Sequence, residues 1–525
     1  MLLACGQDMG EPMLRWMKSG RSDHPLDNKN PSGTLLETLS GKDPIPALEQ
    51  ICTHLDAVKT AENLQPSRAL EIVDLLDRTG RPLQRRLNHE LLAEGHHMTK
   101  FQHVRLWNSV YNYWAELGDG YRFCLAKYEV GAIGAATLKP YIPRIICRGM
   151  RACLGQVKWT YLRYAQVHPR VWRDLGALFT LAESLQVAQT GVAVYRAARG
   201  DSTPEREFLR PLMLTMGAPE TLLPVQIEIA ERVIATLAAS FRVAPRPQPG
   251  IHYVFDLDQD RPPARLTINP EFSASTRCFG PVGASAQMDQ IVKFIDDNQA
   301  LPPDLNLGGT FDPALVRSTV RHLQRHWARM QPERKERRRR HVERVSVVHE
   351  FEDIVANVGG LFLESPFVSN EEEWVVDNES EGGFGAFAPQ PYGAWLKVGN
   401  LIGVRREDGV AWGAGIVRRV SLDDKGNRYV GIQMMARGGA AVTVLPVAEG
   451  GAQGMHPEGE LCVLLPSGGL HTGEAVLLMR AQMYSSSRNL RMRAYDREYL
   501  LFPLSIVERN DEFDIGRYRI LEQLE

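Results

Sequence analysis

The 525-residue chain is poor in cysteine, with seven scattered thiols, an odd number and no CxxC pair. That argues against a disulfide framework or a zinc ribbon and suits a reducing compartment. Apolar runs of about 18 residues are missing, so a membrane-spanning helix is not expected. The opening MLLACGQ places Cys5 like a lipoprotein cleavage box, but it lacks the charged leader and apolar stretch of a signal; a cytoplasmic protein is expected. Net charge is also small. Lys and Arg number 61 against 63 Asp and Glu, which excludes a molecule built as a whole to coat nucleic acid or a membrane surface. A nucleophile elbow, a Walker A loop, an HExxH pair and a Rossmann glycine pattern are all absent, so the sequence reads as a non-enzyme. His89, His96, His97 and His103 lie close in sequence at spacings that suit no metal.

What is present falls into blocks. Residues 1–30 read as a flexible tail. Residues 31–242 read as a helical domain, with apolar positions at three- and four-residue spacing. In SRALEIVDLLDRTG, Leu70, Val73 and Leu76 form a stripe, Asp77 lies near its polar end, and Gly80 is expected to end the helix. FQHVRLWNSVYNYWAELG is apolar on two faces, which predicts a helix buried within a bundle. Trp172, Leu175, Gly176, Phe179 and Ala188 stand where one tetratricopeptide-like hairpin has its pattern; an irregular stack of hairpins and a plain bundle both remain open.

Residues 243–332 read as a linker with connecting elements: a short hairpin across DQDRPP, a helix near QMDQIVKFIDD, and a second helix capped by Asp312. Val316, Val320, Leu323, Trp327 and Met330 make the seam of that second helix. From Arg344 the period switches to two, with Gly and Asp-Gly turns, predicting a closed barrel over 333–440. Residues 441–525 read as a further β-rich domain, taken here as a second barrel. The fold class is therefore multidomain α + β.

The most unusual stretch is RRRRHVERVSV. Arg334, Lys335, Arg337, Arg338, Arg339, Arg340 and Arg344 crowd the entrance to the barrel and are only partly offset by Glu333, Glu336 and Glu343. Guanidinium groups grip phosphate with two prongs and also pair with the O6/N7 edge of guanine. Downstream, VVDNESEGGFGAF offers Asn378 and Ser380 for a base edge, and Gly383 for close approach of backbone.

Together these segments resemble the PilZ family of cyclic di-GMP receptors, whose motif is RxxxR followed by [D/N]xSxxG. Arg340-His-Val-Glu-Arg344 is similar to the first part, with Arg339 as the frequent preceding arginine. Asn378-Glu-Ser380-Glu-Gly-Gly383 is similar to the second. The resemblance covers about residues 333–440. It implies a six-stranded barrel in a bacterial receptor that binds cyclic di-GMP, often as an intercalated dimer. Arg340 and Arg344 would then engage phosphates and guanine edges with Arg339 assisting, Asn378 and Ser380 would contact a guanine, and Gly383 would shape the turn. No cofactor is implied beyond that ligand.

The spacing from Arg344 to Asn378 is longer than the family's. The stretch VANVGGLFLESPFVSNEEE reads as an insertion whose acidic end, Glu371 to Glu373, could shield the arginines. The helical region would relay binding to an unidentified protein partner. Two other readings stay open: a barrel that has lost its ligand, and RNA or DNA held by the arginine run with a steep dependence on salt.

Overall fold

The computed structural model describes residues 22–28, 30–94, 98–195, 200–267, 271–330, 339–361, 371–389, 395–422, 427–447, 459–466, 473–494, 497–510 and 512–524. The chain divides into two compact units. The first holds residues up to Thr160, Val167–Gly217 and Glu228–Arg329; the second holds Tyr161–Gln166, Ala218–Ile227 and Met330 onward.

The helical region comprises α1 (Pro31–Leu39), α2 (Pro44–Thr60), α3 (Pro66–Glu94), α4 (Lys100–Glu129), α5 (Ile142–Tyr161), α6 (Pro169–Ser184), α7 (Pro204–Thr215) and α8 (Pro224–Leu237). All but α4 and α5 open on proline, whose fixed φ suits the first helical turn, where its missing N–H costs nothing. Helix α4 buries one of its two apolar faces fully: Leu106, Val110, Tyr113, Leu117 and Tyr121 are almost inaccessible, while on the other face Val104, Trp107 and Tyr111 are half-buried and Trp107 stacks on Tyr111 at 4.7 Å.

Two local expectations fail for tertiary reasons. Helix α3 does not end at Gly80 but runs on through Pro82. A Cβ on Gly80 would lie 2.4 Å from the ring of Tyr113, so this glycine lets α4 approach. Asp77 is not at a polar edge either. It is 1% exposed and accepts from the Tyr121 hydroxyl at 2.8 Å, with Arg81 at 3.4 Å and Arg148 at 3.8 Å. Burial holds its carboxyl above the usual range even against those cations.

The tetratricopeptide-like pattern serves another purpose. Ala188 lies outside any helix, because the helix after α6 begins only at Pro204. A Cβ on Gly176 would meet the Leu257 carbonyl oxygen at 2.1 Å, so this glycine admits backbone rather than a repeat partner.

Residues 242–329 are folded into the same first unit. Strands β1 (Arg242–Ala244), β2 (Tyr253–Asp256), β3 (Ala264–Arg265) and β4 (Thr276–Gly280) form a sheet in the order β1-β4-β2-β3, which includes the expected β2–β3 hairpin. Two helices follow, α9 (Ala284–Asn298) and α10 (Pro313–Trp327). The Asp312 side chain accepts from the N–H groups of Ala314 and Leu315, as its capping position predicts. Val316, Val320, Leu323 and Trp327 are buried, but the helix stops at Trp327. Met330 is therefore outside the seam and 80% exposed.

The second unit contains two closed, six-stranded antiparallel barrels. The first is built from β5 (Arg339–Val348), β6 (Glu372–Ser380), β7 (Gly383–Ala388), β8 (Leu401–Arg406), β9 (Gly413–Leu422) and β10 (Arg428–Ala436), with α11 (Phe351–Val358) after β5. The second is built from β11 (Ala440–Pro446), β12 (Glu460–Leu465), β13 (Glu474–Arg480), β14 (Leu490–Ala494), β15 (Arg497–Arg509) and β16 (Phe513–Leu524). Closure leaves neither sheet with an open edge.

Helix α11 begins just before the stretch read as an insertion and carries its first residues. Ile354, Val355 and Val358 join one core with Val348, Leu401, Trp412 and Ile416 of the first barrel and Val463, Leu478, Phe513 and Ile515 of the second. The segment thus cements the barrels; residues 362–370 of it lie outside the described residues. Tyr164, from the short 161–166 segment of this unit, donates its hydroxyl to the Leu222 carbonyl at 3.0 Å.

Candidate functional site

The arginine segment enters the barrel as strand. Arg339 and Arg340 already belong to β5, while Arg334, Lys335, Arg337 and Arg338 lie outside the described residues. A bulge between Arg340 and Glu343 leaves Arg340 opposite Asn378 on β6 and Arg344 opposite Val375. Glu381 and Gly382 close the β6–β7 hairpin between the paired Ser380 and Gly383. Register alone therefore brings Arg340, Asn378 and the Ser380–Gly383 turn into one neighbourhood.

Pleating sorts these residues onto two faces. Along β6, Trp374 and Val376 are buried, whereas Val375 is 40% exposed. Arg344, opposite Val375, shares the outer face, and so does Arg340 through its pairing with Asn378. Arg339 is different. It stands opposite Glu379, and that carboxylate is already bound by Arg406, which also binds Glu343 at 3.1 Å.

The acidic end of the long β5–β6 connection meets cations directly. Glu373 pairs with Arg344 at 2.6 Å and Glu371 with Arg405 at 2.8 Å, while Glu372 accepts from the indoles of Trp374 and Trp395. Both members of the Arg344–Glu373 pair are 62% exposed, so the pair is solvent-screened and a competing anion can displace it at small cost.

Asn378 is held by neighbours that motif spacing does not reveal. Its amide nitrogen donates to the Tyr429 hydroxyl at 2.6 Å and to the Asp377 carboxylate at 2.8 Å. Ser380 donates its hydroxyl to the Gly383 carbonyl at 3.2 Å. Gly383 does not have a positive φ. It is needed because a Cβ there would lie 2.0 Å from the Ile432 carbonyl oxygen on β10. Tyr429 is the contact that sequence reading left out of the site, whereas Glu373 meets Arg344 as the acidic end of the insertion was expected to. The outward position of Tyr429 follows from strand alternation, but its bond to Asn378 depends on three-strand register.

The fold and this constellation together define an α + β protein with paired closed barrels, one of which opens on an arginine-bearing strand. Residues 33–248 match the model of the family described as "Cyclic-di-GMP receptor FimW, N-terminal domain". The match covers less than half of the chain and supports a cyclic-di-GMP receptor family. It falls on the helical region and does not reach the barrels. No curated protein matches the chain. Among the described residues, no helix is long and apolar enough to cross a membrane.

Proposed function

We propose that the chain is a cyclic di-GMP receptor whose first barrel is PilZ-like and binds the nucleotide on its outer face. The observation that carries this reading is the cross-strand pairing of Arg340 with Asn378, with Arg344 on the same face. Two guanidinium groups there suit a doubly anionic ligand, and the amide of Asn378 with the hydroxyl of Ser380 suits a guanine edge. Arg339, beside Glu379 and Arg406, assists from the neighbouring face, and Gly383 sets the hairpin geometry. The helical region is the part that relays binding to a protein partner; its similarity to the N-terminal domain of a cyclic-di-GMP receptor family supports the receptor reading.

Titration calorimetry of the full chain tests the site. Arg340→Ala and Arg344→Ala are each expected to weaken cyclic di-GMP binding by roughly ten- to a hundredfold, the loss of one bidentate contact of about 1–3 kcal/mol. The thermal midpoint without ligand should stay put, because both side chains are exposed. Unchanged affinity in both variants rejects the site. A thermal shift with cyclic di-GMP but not with GTP separates a working receptor from a barrel that has lost its ligand. Displacement by an oligonucleotide, steeply weakened by salt, would instead favour nucleic acid on the arginine run.

A further inference from the structure

We propose that the inner mouth of the first barrel, at the end away from the Ser380–Gly383 turn, is a separate anion site in which Arg428 and Arg163 receive a phosphate group. It does not rest on the receptor reading above.

Strand alternation places Arg428 on the inner face. It stands at the start of β10, opposite Leu422 on β9 and Ala388 on β7. Two residues along, Val430 pairs with Val420 and Ala386, and all three are buried. Arg428 therefore points the same way as Val430, one pleat nearer the rim. Gln433, which pairs with Gly383, lies five residues further on, roughly 16 Å along the strand. The mouth and the hairpin turn are thus at opposite ends of the barrel.

Arg163 reaches the same mouth from the short segment 161–166. The Leu422 N–H donates to the Tyr164 carbonyl at 2.9 Å, which lays that segment against the end of β9, beside the strand partner of Arg428. Both arginines are half-buried.

A carboxylate is near but does not answer Arg428. Glu372 opens β6 on the same inner face as the buried Trp374 and Val376. Its two oxygens accept from the indole N–H groups of Trp374 at 2.9 Å and Trp395 at 3.3 Å. Among the described residues Arg428 makes no hydrogen bond or ion pair, and its Nη1 is shielded from solvent without a partner. Arg81, Arg144, Arg210, Arg265 and Arg317 also have a shielded nitrogen of this kind, but each of them meets a carboxylate or a carbonyl.

Charge decides the class of ligand. Burial, and after it the charge of Arg163, holds the Arg428 guanidinium below its ordinary range, and burial does the same to Arg163. Cations drawn out of water beside a carboxylate engaged elsewhere cost free energy that a bound anion recovers. Phosphate suits the pair, because a guanidinium fork engages two of its oxygens and leaves others for Arg163.

Thermal unfolding and calorimetry of the full chain with inorganic phosphate, at an ionic strength held constant with chloride, test this. The wild-type midpoint is expected to rise with phosphate concentration. Arg428→Met keeps the length of the side chain and is expected to weaken phosphate binding at least tenfold, with partial recovery in Arg428→Lys. The phosphate-free midpoint of Arg428→Met should stay level or rise, because an unpaired, partly buried charge is gone. Arg340→Ala should keep the phosphate response, which separates this mouth from the outer face. A response absent from the wild type, or equal in wild type and Arg428→Met, overturns the proposal, as does one lost in Arg340→Ala and kept in Arg428→Met. A lower phosphate-free midpoint in Arg428→Met overturns it too, since a carboxylate of the chain itself would then hold Arg428.

Discussion

Alanine in place of Gly383 is expected to damage the first barrel rather than simply remove a ligand contact. The added Cβ would sit 2.0 Å from the Ile432 carbonyl oxygen and 3.1 Å from the Gln433 Cα. Both are backbone atoms of β10, so no rotamer change relieves the overlap; the β7–β10 ladder must open around the Gln433–Gly383 and Ile432–Phe384 pairs. Overpacking of this kind costs about 1–3 kcal/mol or more. Opening there separates Tyr429 on β10 from Asn378 on β6, so nucleotide binding is expected to fall together with stability. Hydrogen exchange checks this: amides of β7 and β10 should lose protection, while those of β15 and β16 in the second barrel keep it. Protection unchanged in β7 and β10, with binding lost, would instead place Gly383 directly against the ligand.

That prediction shows how far a motif can be read. The glycine's requirement for close backbone approach is visible in the sequence, but the approaching backbone is β10, some fifty positions downstream, and not a ligand. The same holds for Asn378. Its residue type suits a base edge, yet what fixes the direction of its amide is Tyr429 and Asp377. Alternation tells which face a strand residue occupies; it does not tell which strands become neighbours, and the bulges at Arg340/Glu343 and Val376/Asn378 shift the pairing at the points that matter.

The barrels themselves were legible because a strand buried on one face has to alternate, and short alternating runs with glycine turns leave few other architectures. Helix limits were less so. Gly80 carries the mark of a helix end, but it lies within α3 because Tyr113 of α4 needs the space of a side chain. The 351–358 stretch, apolar at Ile354, Val355 and Val358, became intelligible only when a second barrel was there to receive it. In each case local propensity was outweighed by a contact distant in sequence.

The largest effect in the helical unit is expected from Glu207→Gln. Glu207 is 1% exposed and is gripped by Arg151 through two bonds, at 2.9 Å and 2.8 Å, and by Arg210 at 2.9 Å. Burial alone would push its carboxyl up; Arg210 and Arg151 outweigh that and hold it at about 2, below the ordinary 4.5. Glutamine keeps the shape but leaves the largely buried guanidinium of Arg151 without its countercharge, while Arg210 keeps Glu231 at 2.5 Å, a loss of about 3 kcal/mol. Denaturant unfolding, followed by exchange at α5 and α7 amides, should show it. The dependence on pH gives the sign independently. With the folded value depressed, the stabilisation is complete above about pH 4.5 and is lost as pH falls toward 2. Glu228, held at about 2 against its own burial by Lys158 and Arg232, adds to the same acid window. The wild-type unit should therefore lose stability steeply between those limits, and Glu207→Gln should lose less because one of the two titrating carboxylates is gone. Equal acid slopes in the two proteins would mean that Glu207 is not ionised in the folded state, and that the three-way pair is not what holds α5 to α7.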